Sequence, residues 1–256
     1  MRNNFDSRSL VTLKKAMISQ PLTVSPETSV LDGLALLNAS QTACSITTHS
    51  LEFNPRTSCL IVTKNQQPVG ILTHRDIVRL IAQQINLEGL TVGDIMGQPV
   101  ITLQESQLNS LTEILKVLQN HKIRHLPLVD TDGKLVGLLT HRDLRNALEP
   151  TDLLKLRVLE EVMNRTVIQA SPQSSLLKLA ELMSFASVSC VVLVEEKICD
   201  GEAFKIPVGL LTEGDILKCQ ALGVDWGLEA QAVMSTPLFC LHPQDTLLEA
   251  HWLMQQ

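Results

Sequence analysis

The chain has no tyrosine, and only five phenylalanines and two tryptophans among 256 residues. A core without rings is filled by Leu, Ile, Val and Ala, through many small aliphatic contacts instead of a few aromatic anchors. Positive charge is short too. Lysine and arginine number 21 against 27 acidic residues, a net charge of −6, and no basic cluster stands out. That balance excludes a surface built to neutralise nucleic-acid phosphates. No apolar run approaches the ~20 residues that a membrane-spanning helix needs. The polar opening, Met1 to Arg8, is no secretory leader. A soluble, cytoplasmic protein is expected. The six cysteines (Cys44, Cys59, Cys190, Cys199, Cys219 and Cys240) form no Cys-x-x-Cys, and the seven histidines form no His-Glu-x-x-His. Neither a metal site nor a disulfide framework is expected, and the thiols read as reduced and mostly buried. No Ser-His-Asp or Cys-His arrangement occurs either. The chain therefore reads as no enzyme, with no catalytic residues, and any catalytic domain is expected beyond residue 256.

What the chain does have is repetition. Val69-Gly70-Ile71-Leu72-Thr73-His74-Arg75-Asp76 returns as Val136-Gly137-Leu138-Leu139-Thr140-His141-Arg142-Asp143. It returns again, less closely kept, as Val208-Gly209-Leu210-Leu211-Thr212-Glu213-Gly214-Asp215. Three copies of Gly, two aliphatics, Thr, two variable residues and Asp mark a repeat architecture. The stretch has two chemical readings. Thr followed three residues later by Asp resembles a capping box at a helix start. The same geometry favours a nucleoside phosphate, because a helix N-terminus attracts an anion. The carboxylate would then accept ribose hydroxyls, and glycine would let a flat group approach the backbone.

A second pattern starts each unit: Met17 to Val24, Met96 to Thr102, Met163 to Gln169 and Met234 to Cys240. There are four starts and three Gly-Thr-Asp endings. Helical spacing follows each start, in Val30, Leu34 and Leu37, in Leu108, Leu111, Leu115 and Leu118, and in Leu176, Ala180 and Met183. Next come a strand, His125–Val129, a turn at Asp130–Gly133 suited to a hairpin, and the motif strand with a closing helix. The unit is thus β-α-β-β-α, an α+β fold. The domains read as an arm (1–13), repeats at 14–85, 90–148 and 156–221, and an incomplete fourth at 228–256. The first repeat carries a polar insertion around Thr42–Thr57, and the third widens its hairpin at Glu195–Lys205. The half-copy suggests a piece of a longer polypeptide. It leaves Leu247, Leu248 and Trp252 without a sheet of their own, which predicts a homodimer.

Laid out in this way, the chain resembles the CBS domains, the modules named after cystathionine β-synthase. The second copy carries the likeness most fully, in Met96-Gly-Gln-Pro99, in the run from His121 to Asp130, and in Gly137 to Asp143. The resemblance implies tandem repeats pairing into Bateman modules, whose cleft holds AMP, ADP, ATP or S-adenosylmethionine and regulates an attached effector domain. It implies ribose contacts from Asp76, Asp143 and Asp215, and phosphate contacts from Thr73, Thr140 and Thr212. Val100, Ile101 and Thr102 would line the adenine. Arg124 and His125 occupy phosphate-reaching positions, and His74, Arg75, His141 and Arg142 stand at helix starts. The third copy has Glu213-Gly214 where the others have His-Arg, and the first lacks the Arg-His-Leu-Pro run. A site at Asp143, Arg124, His125 and the Met96–Pro99 turn therefore ranks first. The alternative is a structural or dimerisation module with vestigial nucleotide sites.

Overall fold

The computed structural model describes residues 17–42, 58–108, 111–141, 143–144, 157–199 and 202–254. The expected arm, the insertion from 43 to 57 and Arg142 lie outside these residues. The chain divides into two compact units, Met1–Leu80 with Ile85–Leu148, and Ile81–Gln84 with Glu149–Gln256.

In the first unit β1 (Thr23–Val24) lies parallel to β2 (Cys59–Lys64), which pairs antiparallel with β3 (Gln67–Thr73). A parallel pair needs a crossover, and α1 (Val30–Thr42) supplies it. Val30, Leu34 and Leu37 are buried, as their spacing predicts, and so is the whole run Cys59–Val62. A continuous apolar run is the mark of a strand covered on both faces. The β2–β3 hairpin turns on Asn65 and Gln66, both at positive φ (53° and 65°), which matches the twist of the strands. From β3 the chain passes straight into α2 (His74–Ala82), and a single turn, α3 (Val92–Ile95), opens the second repeat.

The second repeat is built alike. β4 (Leu103–Gln104) is parallel to β5 (His125–Val129), which pairs antiparallel with β6 (Leu135–Thr140). The crossover is α4 (Leu111–Asn120). Its buried residues are Ile114 and Leu118, with Leu108 buried just ahead of it. Leu126, Leu128 and Leu139 complete that core. The expected turn is present. The Asp130 carboxylate accepts from the N–H groups of Asp132 (2.9 Å) and Lys134 (2.8 Å), and Gly133 takes φ 78°.

The two repeats are joined by exchanged edges. Ile18 exchanges backbone hydrogen bonds with Leu138 of β6 (3.0 and 2.9 Å), and Gly97 does so with Ile71 of β3 (2.7 and 3.1 Å). A methionine lies over each crossing. A Cβ built at Gly137 would stand 2.7 Å from Met17 Sδ, and one at Gly70 would stand 2.8 Å from Met96 Cγ. Only glycine admits that approach. The space over these glycines, which the sequence reading gave to a flat ligand, belongs to a thioether of the other repeat. Ile18, Cys59, Ile61 and Leu138 close the seam as one buried cluster.

In the second unit β7 (Gln169–Ala170) is parallel to β8 (Cys190–Cys199), and β8 pairs antiparallel with β9 (Glu202–Thr212). Between β7 and β8 runs α5 (Leu176–Ala186), with Leu176, Ala180 and Met183 buried, and α6 (Glu213–Ala221) follows β9. The widened hairpin is longer in its strands and not in its loop, because pairing continues from Glu195↔Ile206 to Cys199↔Glu202. Alternation in an uncovered ribbon leaves Ile198, Phe204 and Ile206 exposed. Met234 crosses Gly209, and Ser235 pairs with Leu210. Beyond it stands α7 (Leu247–Leu253). Its start is tied to residues 157–159 by bonds from Leu247 N–H to Arg157 O and from Leu159 N–H to Asp245 O. Leu248, expected to lack a sheet of its own, is buried, whereas Trp252 is exposed. Of the four described free cysteines Cys59 and Cys219 are buried and Cys190 and Cys240 exposed, fewer buried than expected.

Candidate functional site

In all three Thr-Asp pairs the carboxylate accepts from the threonine, and at Thr140 and Thr212 the returning bond from the aspartate N–H completes a capping box. Asp76 Oδ2 accepts from Thr73 N–H (2.9 Å) and Thr73 Oγ1 (2.6 Å). Asp143 Oδ2 accepts from Thr140 N–H and Oγ1, both at 2.7 Å, and Asp215 does the same with Thr212 at 2.8 and 2.7 Å. The threonine hydroxyl proton is thereby committed to the cap, so a phosphate would need other donors. The second carboxylate oxygen takes no part in the box. At Asp76 its neighbour is an exposed Arg79 guanidinium at 3.9 Å, and the Asp76 side chain keeps 22% of its surface open. Asp143 is more enclosed, at 8%.

A cleft of about 310 Å³ opens beside Asp76. From the first repeat come Ile71, Thr73, Arg75 and Asp76, at the end of β3 and the first turn of α2. From the second repeat the turn Gly97 to Ile101 and the foot of β5, Lys122 to His125, close the other sides. The crossing at Ile71 and Gly97 brings the turn there. The walls give apolar surface at Ile71, Val100, Ile101 and Ile123, three cations at Arg75, Lys122 and Arg124, and one carboxylate.

Behind the cations sit two neutral histidines. Burial lowers the His74 pKa to about 4, with the Arg124 guanidinium adding to the effect. Burial does the same to His125, again to about 4, with Arg124, His74 and His141 contributing. His125 Nε2 shares a hydrogen bond of 2.8 Å with Ser58 Oγ across the seam. His74 thus carries no positive charge at neutral pH, and the arginines and Lys122 supply the cleft's cations. Among the described residues no three His, Cys, Asp or Glu side chains form a metal-ligand group, and no helix is long and apolar enough to cross a membrane.

The family model described as CBS domain matches residues 13–83, 92–150 and 159–221. The chain belongs to the CBS domain family. The crystal structure of protein MJ1225 from Methanocaldococcus jannaschii, put forward as an archaeal homolog of g-AMPK, superposes with a TM-score of 0.71 over 94% of this chain and 88% of that one. Its identity is 22%, and the likeness is one of fold. The L-aspartate semialdehyde sulfurtransferase of the same organism is 35% identical over 125 residues, 49% of this chain and 22% of that protein. The homoserine O-acetyltransferase of Methanohalobium evestigatum is 29% identical over 228 residues, 83% of this chain and 43% of that protein. The chain spans less than half the length of either enzyme.

Within the CBS frame the predicted residues fall into separate groups. Thr73, Arg75, Asp76, Val100, Ile101, Arg124 and His125 share one cleft. Gly137 stands at the other crossing, under Met17 and beside Ile18, and Thr140 and Asp143 follow it at the end of β6 and the helix start after it. His141 is exposed there, its N–H bonded to Arg124 O at 3.2 Å. Thr102 is not among the residues lining the cleft, and Thr212 and Asp215 belong to the second unit. The sequence reading joined Asp143 to the Met96–Pro99 turn, whereas the crossing carries that turn to Asp76. Gln98, Lys122, Ile71 and Ile123 also line the cleft without having been singled out. Gln98 and Lys122 lie inside the quoted Met96–Pro99 and His121–Asp130 runs, so the motif boundaries were the available signal.

Proposed function

We propose that the cleft at Asp76 is a regulatory site for an adenine nucleotide, with the phosphates toward Arg75, Lys122 and Arg124. The observation that carries this reading is the convergence of three cations, one half-open carboxylate and four aliphatic side chains on one cleft. A carboxylate suits a pair of ribose hydroxyls, and cationic donors bind phosphate in charge-assisted hydrogen bonds. The same charge disfavours the sulfonium of S-adenosylmethionine, so AMP, ADP or ATP fits better. The walls come from both repeats, so a bound ligand stabilises one arrangement of the pair. An attached effector domain reads that shift. The partial overlap with two enzymes of different names supports a module joined to varied partners.

One observation favours a packing role instead, since every capping box and methionine crossing closes without a ligand. Calorimetric titration with AMP, ADP, ATP and S-adenosylmethionine separates the readings. Asp76→Ala is expected to weaken nucleotide binding roughly ten- to a hundredfold, and Asp143→Ala to leave it near wild type. The reverse ranking would move the site to Asp143. No binding by the wild type would leave the packing module.

A further inference from the structure

The β8–β9 ribbon of the second unit has one open edge. Val192 N–H donates to Ile168 O at 3.0 Å, so Val192 turns its backbone groups toward β7. Backbone direction alternates along a strand, so Glu196 and Ile198 point their N–H and C=O groups to the same side. β7 pairs no further than Ala170↔Leu193, and among the described residues no other strand runs along that side. Glu195, Glu196, Lys197 and Ile198 are all exposed, Ile198 at 78%. The opposite edge of the ribbon is blunted. Pro207 stands opposite Val194, and by the same alternation its nitrogen faces outward with no N–H to offer. Lys205 takes the next outward position on β9. Proline and lysine are what an edge closed to pairing carries. The side chains sort by register, because residues directly opposite share a face. One face holds Glu195 with Ile206 and Lys197 with Phe204. The other holds Val194 with Pro207, Glu196 with Lys205 and Ile198 with Ala203.

We propose that the β8 edge pairs with the β8 edge of a second copy of this chain, antiparallel about a twofold axis at Glu196. A twofold contact repeats every pairing. Antiparallel partners share backbone direction, so the axis falls on a residue and not between two. Centred on Glu196, the register sets Glu195 opposite Lys197 of the second copy, twice, and Val194 opposite Ile198, twice. Centred on Glu195, it would oppose two Glu195 carboxylates and set Val194 against Glu196. Centred on Lys197, it would oppose two ammonium groups and set Ile198 against Glu196. Charge and apolar matching thus select one register of the three. Its unfavourable contact is Glu196 facing Glu196 of the second copy, with Lys205 beside each on that face. In the resulting four-stranded sheet Ile198 lies between Ala203 and Val194 of the second copy, which covers the most exposed aliphatic side chain of the ribbon. Five residues a side bury much less than the ~1,600 Å² of a standard interface. The association is therefore weak and governed by register. It concerns the second unit and does not rest on the nucleotide reading of the first.

Sedimentation velocity over a concentration series into the millimolar range reads the dimer, and hydrogen exchange over residues 194–199 reads the backbone pairing. The wild type is expected to dimerise, with exchange in that segment slowing as concentration rises. Lys197→Glu sets Glu195 against a glutamate twice and is expected to raise the dissociation constant roughly tenfold. Glu195→Lys combined with Lys197→Glu is expected to restore it, and Glu196→Gln to lower it. Glu195, Glu196 and Lys197 are exposed in the single chain, so these variants keep its fold, which far-ultraviolet circular dichroism checks. A wild type that stays monomeric at every concentration overturns the proposal and gives the edge to a strand of another protein. A dimer indifferent to Lys197→Glu, or one that the charge exchange does not restore, also overturns it and puts the contact between copies elsewhere.

Discussion

A methyl group at Gly70 puts the methionine crossing under direct strain. In Gly70→Ala the new Cβ would stand 2.8 Å from Met96 Cγ and 3.1 Å from Met96 Cβ. The thioether and Cγ can swing aside about χ1 at the cost of their packing, but Cβ moves only with the backbone at residue 96. That backbone is held next door, where Gly97 and Ile71 exchange bonds of 2.7 and 3.1 Å. Overpacking of this kind costs about 1–3 kcal/mol, and loosening two backbone hydrogen bonds about 1 kcal/mol each. The stiffer unfolded chain of an alanine variant returns about 0.5 kcal/mol. A net loss of about 2.5–4.5 kcal/mol follows for the first unit. Both tryptophans, Trp226 and Trp252, lie in the second unit, so fluorescence is blind to the change. Hydrogen exchange read by mass spectrometry over residues 59–73 and 96–101 reports it. Met96→Ala in the Gly70→Ala background should recover part of the loss, a coupling of about 1–2 kcal/mol in a double-mutant cycle. A Gly70→Ala chain as stable as wild type would refute the reasoning, and so would a Met96→Ala cost that simply adds to it.

Other outcomes are expected from the same geometry. His74 and His125 titrate near 4 in the folded chain against 6.5 when free, so the unfolded chain takes up protons first as pH falls. Stability of the first unit is full above about pH 6.5 and drains toward pH 4, by on the order of 3 kcal/mol for one such shift. His125→Gln should flatten the melting temperature against pH in that window. Lys122→Gln should weaken ATP binding about fivefold, from ~1 kcal/mol for an exposed charge contact, and reduce its salt dependence while leaving adenosine binding alone. Thr212→Ala removes a helix cap and should cost about 1 kcal/mol, read by tryptophan fluorescence in urea.

The local structure was legible in the sequence because its causes are local. Thr followed by Asp reads as a cap, Asp130–Gly133 as a turn, and Val30, Leu34 and Leu37 as one helix face, and each is so placed. The grouping of the candidate site was not legible. Met96 begins the second repeat, yet its turn pairs with β3 of the first, and no spacing rule carries that exchange. The same exchange gave Gly137 to Met17 instead of to a ligand. Burial decided the rest: His74 and His141 share a motif position, but only His74 is buried. Leu248 is buried, on a helix whose start is bonded to residues 157–159 from the far end of the unit. The widened hairpin expected at Glu195–Lys205 is present, and its added length is carried by paired strand from Glu195↔Ile206 to Cys199↔Glu202.

The exchanged edges also dictate an order of events during synthesis. Ile18 waits for Leu138, about 120 residues later, and Ile71 waits for Gly97. The first repeat, complete in sequence by the end of α2, is left on the ribosome with Ile18, Cys59 and Ile61 uncovered until β6 emerges. Contacts this far apart in sequence fold slowly, and half-made pairs expose apolar surface. A translational pause before β6 has emerged would hold the nascent chain in that state, and one after it has emerged would not.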